Sequence, residues 1–282
     1  MIKYTYLFLF VLTVSCLKPD VNTGVDLPKV LNEVSGNEII KNSNQIWMHN
    51  DSGDEARIYS VNNNGKLIQK LYIDAKNEDW EDITSDKEGN LYIGDFGNNN
   101  NDREDLKIYI VPSSRLNSEK EVKVKKIKFK YEDQKDFPPK KKKLFFDCEA
   151  FFHFDGNLYL FTKSRVKDKH GTTNVYRIPA VEGKHKAKKI GSFNFGKEFY
   201  HWVTGADIRD DGKQVAILTQ KNIWLFTDFK GEDFFSGKRT KISFKHSTQK
   251  EGICYKNSTT LLVTDENDHG RGGNLYEFKI KP

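Results

Sequence analysis

Beyond residue 30 the chain is patterned in short apolar stretches, separated by clusters of Gly, Asn and Asp. No segment sustains the i, i+3, i+4, i+7 spacing of an amphipathic helix, so the pattern predicts an all-β protein. The strands also repeat. Trp80-Glu81-Asp82-Ile83 is followed by Gly89 to Ile93 and then by Ile108 to Pro112. Cys148 to Phe151, Gly156 to Leu160 and Val175 to Pro179 form a second copy, with the same Gly-Asn-Leu-Tyr turn. Ala206 to Ile208, Gly212 to Ile217 and Ile223 to Phe226 form a third; Glu251 to Ile253, Leu261 to Val263 and Asn274 to Phe278 form a fourth. A degenerate copy precedes them: Gln45 to His49, Arg57 to Val61 and Lys66 to Ile73. The period is about fifty residues, near that of a β-propeller blade. The expected fold is a five-bladed β-propeller over residues 31–282, with six blades as the alternative. The last copy lacks an outer strand, which the segment Val25 to Val30 is expected to supply, closing the ring and removing sheet edges.

The first thirty residues read differently. Met1-Ile2-Lys3 is a short basic start, and Tyr4 to Val14 is an apolar run too short to span a bilayer but suited to a signal-peptide core. It ends Leu12-Thr13-Val14-Ser15-Cys16, which resembles the lipobox of bacterial lipoproteins, although Thr13 stands where Leu is usual. That resemblance implies a cleaved signal over residues 1–15, lipid on Cys16, a tether and closing strand over 16–30, and a membrane anchor in the cell envelope. The other reading is an ordinary cleaved signal with an incidental Cys.

The 282 residues include 46 basic and 40 acidic ones, for a net charge of +6. Both signs are interspersed, so no nucleic-acid partner is expected. Three Cys cannot form a disulfide framework for a chain of this size. Cys148 and Cys254 read as buried free thiols, and the four Trp as packing between blades. Lys140 to Lys143 reads as a solvated loop, or as a contact to anionic lipid. No P-loop, zinc-spaced His/Cys set or G-x-S-x-G elbow is present.

The chemistry that remains is acidic. The repeat places one acid near the start of most inner strands: Glu81, Glu149, Asp207 (one place out of register) and Glu251, with Glu33 as a fifth. Carboxylates converging on one axis repel, and a Ca²⁺ with its six to eight oxygen ligands is one remedy. Capping of strand N–H groups in a wet channel is the other. A second set follows the apolar strands: His49, Asp51, Asp95, Asn98, Lys163, Asp265 and Glu266. Loops on a rigid scaffold are the usual place for a ligand pocket. Turn chemistry explains Asn and Asp equally well, above all at Asn98 to Asn101, but turns require neither His nor Lys.

The blocks His49-Asn50-Asp51-Ser52-Gly53-Asp54, Asp79 to Ile83 and Leu91 to Asn99 resemble a family of secreted bacterial β-propeller proteins with no established activity. So do Asp147 to Ala150, Leu158 to Lys163 and Thr204 to Asp207. More distantly, Trp80-Glu81, Cys148-Glu149 and Lys250 to Ile253 are similar to the calcium-activated nucleotidases (apyrases), five-bladed propellers with a central Ca²⁺. That likeness implies Ca²⁺ at Glu81, Glu149 and Glu251. It does not carry hydrolysis, because the phosphate-contacting basic residues of that family have no counterpart here. A likeness to inverting five-bladed glycosidases rests only on the presence of two or more channel acids. The expected function is a lipid-anchored envelope module that binds a protein partner or small ligand through one face. The alternative is a Ca²⁺-dependent hydrolase of nucleotides or phosphoesters, less so of glycans.

Overall fold

In the computed structural model, residues 24–41, 43–118, 120–245 and 248–281 are described. Cys16 and the leader lie outside them. Among the described residues there is no α-helix, and every long element is a strand. Four antiparallel strands make each unit: β2 (Val34–Ile39), β3 (Ile46–Asn50), β4 (Arg57–Val61) and β5 (Leu67–Asp74) make the first. β6 (Trp80–Ser85), β7 (Leu91–Asp95), β8 (Lys107–Val111) and, after the short β9 (Val122–Lys123), β10 (Lys125–Tyr131) make the next. β11 (Asp147–Phe154), β12 (Asn157–Lys163), β13 (Thr172–Pro179) and β14 (Gly183–Asn194) follow. Then come β15 (Val203–Ile208), β16 (Gln214–Thr219), β17 (Asn222–Thr227) and β18 (Lys238–Ser243). The chain ends on β19 (Lys250–Asn257), β20 (Thr260–Asp265) and β21 (Asn274–Lys279). Their fourth strand is β1 (Val25–Asp26), which pairs antiparallel with Leu275 and Asn274. The expected closing strand is therefore present, but only two residues long.

The first strands touch in order: β2 on β6, β6 on β11, β11 on β15, β15 on β19, and β19 back on β2. This ring makes the chain an all-β propeller. Apolar side chains fill the wedges between neighbouring units. Trp80, Leu71 and Tyr109 pack in one wedge, Phe151, Phe96 and Tyr176 in the next, and Phe152, Phe161 and Phe226 in a third. Hairpin turns use glycines with positive φ, such as Gly89 (φ 80) and Gly156 (φ 71), where a side chain would be strained.

Each inner strand carries a bulge one or two residues after its start, at Ser35, Glu81, Glu149, Thr204 and Glu251. A bulge re-aims the extra side chain, and these five positions are the true structural equivalents across the ring. The expected register is corrected accordingly. Thr204 and Ser35, not Asp207 and Glu33, match the three glutamates. The shift arises because Asp207 lies three residues past the bulge, at the other end of its strand.

Near the axis no ladder joins one inner strand to the next, so side chains bridge them. Ser35 Oγ donates to the Glu81 carbonyl (2.6 Å), and Thr204 Oγ1 to that of Lys250 (2.7 Å). Asp82 accepts from Phe151 N–H (3.0 Å), and Asp207 from Tyr255 N–H (2.7 Å) while also holding Ile208 N–H (2.7 Å). Asp207 is thus committed to a bridge between units. Truncating it strands two amide donors at the channel wall. Asp207→Ala should cost about 1–3 kcal/mol of stability, read as a lowered urea midpoint; an unchanged midpoint would contradict the bridging role.

Candidate functional site

The bulge end of the channel gathers charge. Three strands deliver Glu81, Glu149 and Glu251, all buried. Loops add half-buried Asp51, Asp79 and Glu266. One carboxylate oxygen from each of Asp51, Asp79 and Glu81 lies within 4.8 Å of the other two. Fixed bonds place them. Asp51 N–H donates to the Glu33 carbonyl (2.9 Å), and Asn77 Nδ2 donates to the Asp51 carbonyl (2.7 Å). Asn77 Oδ1 in turn accepts Trp80 N–H (3.1 Å), and Asp79 accepts Gly97 N–H (3.1 Å) at its carbonyl. Gly97 is needed for room: a Cβ there would collide with Glu81 Oε1 and Asp79 Oδ2.

Two cations face this cluster. Lys163 Nζ lies 2.8 Å from Glu149, and Arg165 spans Asp147 (2.6 Å) and Glu149 (3.6 Å). Both sit about the ring of Trp202, at 5.1 and 5.0 Å from its centroid. Trp202 itself is anchored by its indole N–H on the Ser164 carbonyl (2.7 Å). Burial works against the charge of Lys163, yet Glu149 and Asp147 hold its pKa above the ordinary lysine value. The carboxylates are pushed the other way. Burial, then the nearness of Asp51 and Asp147, raises Asp79 to about 6. Burial raises Glu251 to about 8 despite Lys163; burial and Asp51 raise Glu266 to about 8. Glu81 is raised well above the usual range by burial and by Glu149. Asp51, Asp79 and Glu81 have no ion-pair partner among the described residues.

The expected residues thus divide. Glu81, Glu149 and Glu251 come together, and Asp51, Lys163 and Glu266 from the loop set join them at one mouth. Asp207 does not. It lies with Glu38 and Asp82 toward the other end, where burial raises it to about 7. The remaining loop residues are sealed in the scaffold. His49 has no exposed surface, packs edge-on to Trp80 (5.7 Å), and is kept neutral by burial, its pKa lowered to about 4. Asp95 is bonded to Arg103 (2.8 Å) and Tyr109 (3.2 Å). Asp265 holds Lys250 (2.8 Å), Asn274 N–H (2.9 Å) and Tyr276 (3.0 Å). Asn98 ties its loop to Phe146, Asp147 and Arg103. Asp95, Asp265 and Asn98 are spent on these polar contacts, and His49, whose Nε2 has no hydrogen-bond partner, is enclosed, so none of the four offers surface to a ligand.

Asp79, Arg165 and Trp202 were missed from the sequence. A signal existed for the first two. Asp79 immediately precedes the inner strand that carries Glu81, and Arg165 follows Lys163 just past the end of its strand, so each is a charged neighbour of a residue already singled out. Trp202 gave none, because its partners lie in another unit.

No protein-family model matches the sequence, and no curated protein matches it. Among solved structures, the chain is similar to virginiamycin B lyase from Staphylococcus aureus, at 14% identity over 91% of this chain and 69% of that one, with a TM-score of 0.43. It is similar to a luciferin-regenerating enzyme, at 10% identity over 93% and 95%, with a TM-score of 0.49. It is also similar to the β-propeller domain of Cps50 (Swd1) from Myceliophteria thermophila, at 7% identity over 93% and 100%, with a TM-score of 0.48. All three scores fall short of one half, so the fold stands on the strand pairing itself.

The raised carboxylates set a pH dependence. Glu251 and Glu266 hold protons in the folded state that the unfolded chain releases near the ordinary carboxylate range, so stability falls as pH rises toward about 8. Neutral His49 gives the opposite slope, but only below its ordinary value of 6.5. In chelator, then, the urea midpoint should drop between pH 6.5 and 8. A flat or rising midpoint across that window would contradict the proposed burial of these acids.

Proposed function

We propose that the chain is a lipid-anchored cell-envelope protein whose five units are five blades. Its acidic mouth is a binding site for a divalent cation, and the face around it takes a partner protein or an oxygen-rich small ligand. The observation that supports this best is the Asp51–Asp79–Glu81 set, with oxygens within 4.8 Å and no cation partner among the described residues. The donor chemistry fits Ca²⁺: carboxylate oxygens only, two of them packed so closely against Gly97 that a Cβ there would displace them. Asp51, Asp79 and Glu81 would hold the ion. When bound, it would supply the positive charge that keeps these acids ionised and a point for ligand oxygens to coordinate. Lys163 and Arg165 would hold Glu149 in place, and Trp202 would flank the entrance.

Hydrolysis of nucleotides or phosphoesters is the weaker reading. It would need a basic side chain directed at phosphate, and both local cations are already paired with Glu149 and Asp147. Glycan hydrolysis has no specific support. Residue Cys16 as the lipid site rests on the leader sequence alone.

Thermal unfolding of the full chain in EGTA and in millimolar Ca²⁺ tests the reading. A ligand bound only by the folded state adds RT ln(1 + [L]/Kd), about 2.7 kcal/mol at a hundredfold excess over Kd. Ca²⁺ should raise the melting temperature of the wild type and of Asp207→Asn, but not of Glu81→Gln. No rise in the wild type would overturn the cation site. Ca²⁺-dependent turnover of nucleotides would favour the hydrolase instead.

A further inference from the structure

The second and third units are joined at their rims. β10 pairs in parallel with β14, so the outer strands of two units form one continuous sheet. The register puts Lys107, Lys128 and Lys184 in one cross-strand row, and Lys130 opposite Lys186 in the next. Like charges directly opposite one another destabilise a sheet. These side chains do not support the core either, because Lys128, Lys130, Lys184 and Lys186 are all exposed. The alternate residues Ile127, Phe129 and Tyr131 do that work on the opposite face. The rows border a groove of about 700 Å³. Its only acids, Glu104 and Asp105, are bonded to Lys130 (2.8 Å) and Lys107 (2.8 Å). Among the described residues, Lys128, Lys184 and Lys186 have no ion-pair partner.

We propose that this groove binds an anionic polysaccharide. Successive lysines on one strand are spaced by about 6.6 Å and adjacent strands by about 4.8 Å, an array suited to a chain carrying charge at intervals. The surface is concave, so a flat bilayer would meet its rims and not its floor. It offers no stacking platform for bases on the lysine face, since Phe129 is buried and His185, its cross-strand partner, alternates with Lys184 and Lys186 onto the other face. Lysine stems instead present apolar surface to sugar rings, and their ammonium groups act as point charges that accept carboxylate or sulfate without a fixed geometry. This inference does not rest on the acidic mouth, and either can fail alone.

The test is fluorescence anisotropy of a labelled heparin oligosaccharide with the full chain at several salt concentrations. Binding should weaken with salt, and Lys128→Glu/Lys184→Glu should weaken it by at least about tenfold. The charge-matched Lys141→Glu/Lys142→Glu, in the exposed turn between units, should leave it within about twofold. No binding at low salt, an equal loss in both variants, or tighter lysine-dependent binding of an oligo-dT strand would each overturn the proposal. Lys128→Glu alone sets an acid between Lys107 and Lys184, so its melting temperature should not fall. A fall would mean that the lysines serve the fold, and would also overturn it.

Discussion

Strands that converge on a common axis leave little volume where they meet. In this propeller the bulge on each inner strand turns one side chain into that volume, and at three of the five positions it is a glutamate. Desolvation and mutual repulsion then act together on Glu81, Glu149 and Glu251. Lys163 and Arg165 neutralise the Glu149 side, while among the described residues none forms an ion pair with Asp51, Asp79 or Glu81. The asymmetry gives the mouth its chemistry. A ring with all its charges paired would be a structural plug; this one is left in deficit on one side.

The two ends of the channel solve the same packing problem differently. Toward the far end, Asp82 and Asp207 accept amide hydrogens from the neighbouring unit and replace the ladder that the radial geometry forbids. At the bulge level the same task falls to Ser35 and Thr204, whose hydroxyls bridge without adding charge. The serine and threonine thereby spare the mouth two further carboxylates. An acid on an inner strand therefore has two fates, set by its distance from the bulge.

Much of the architecture was legible in the sequence, because hairpins need local turn chemistry and each unit repeats it. The Gly-Asn-Leu-Tyr turns before β7 and β12 mark the same hairpin twice. The closing strand was legible for a different reason, since the last unit ran out of chain. The site was only half legible. Glu81, Glu149 and Glu251 share a repeat position, but the bulge that defines that position leaves no mark in composition, so Asp207 looked equivalent to them. Burial was not legible at all. His49, Asp95 and Asp265 have the polarity of ligand residues, yet Trp80 of the next unit encloses the first, and Arg103 and Lys250 of their own units take up the other two.

In the proposed site a cation would replace protons on crowded, buried carboxylates at the acidic mouth. Calorimetric titration of Ca²⁺ into the full chain at pH 7, repeated in two buffers of different ionisation enthalpy, measures both events at once. Saturable binding with net proton release is expected, because acids held protonated by burial must ionise to coordinate the metal. Saturable binding with no proton release would place the metal on ordinary, already ionised carboxylates elsewhere. The absence of binding would leave the mouth with no cation partner, and in either case the claim would fail.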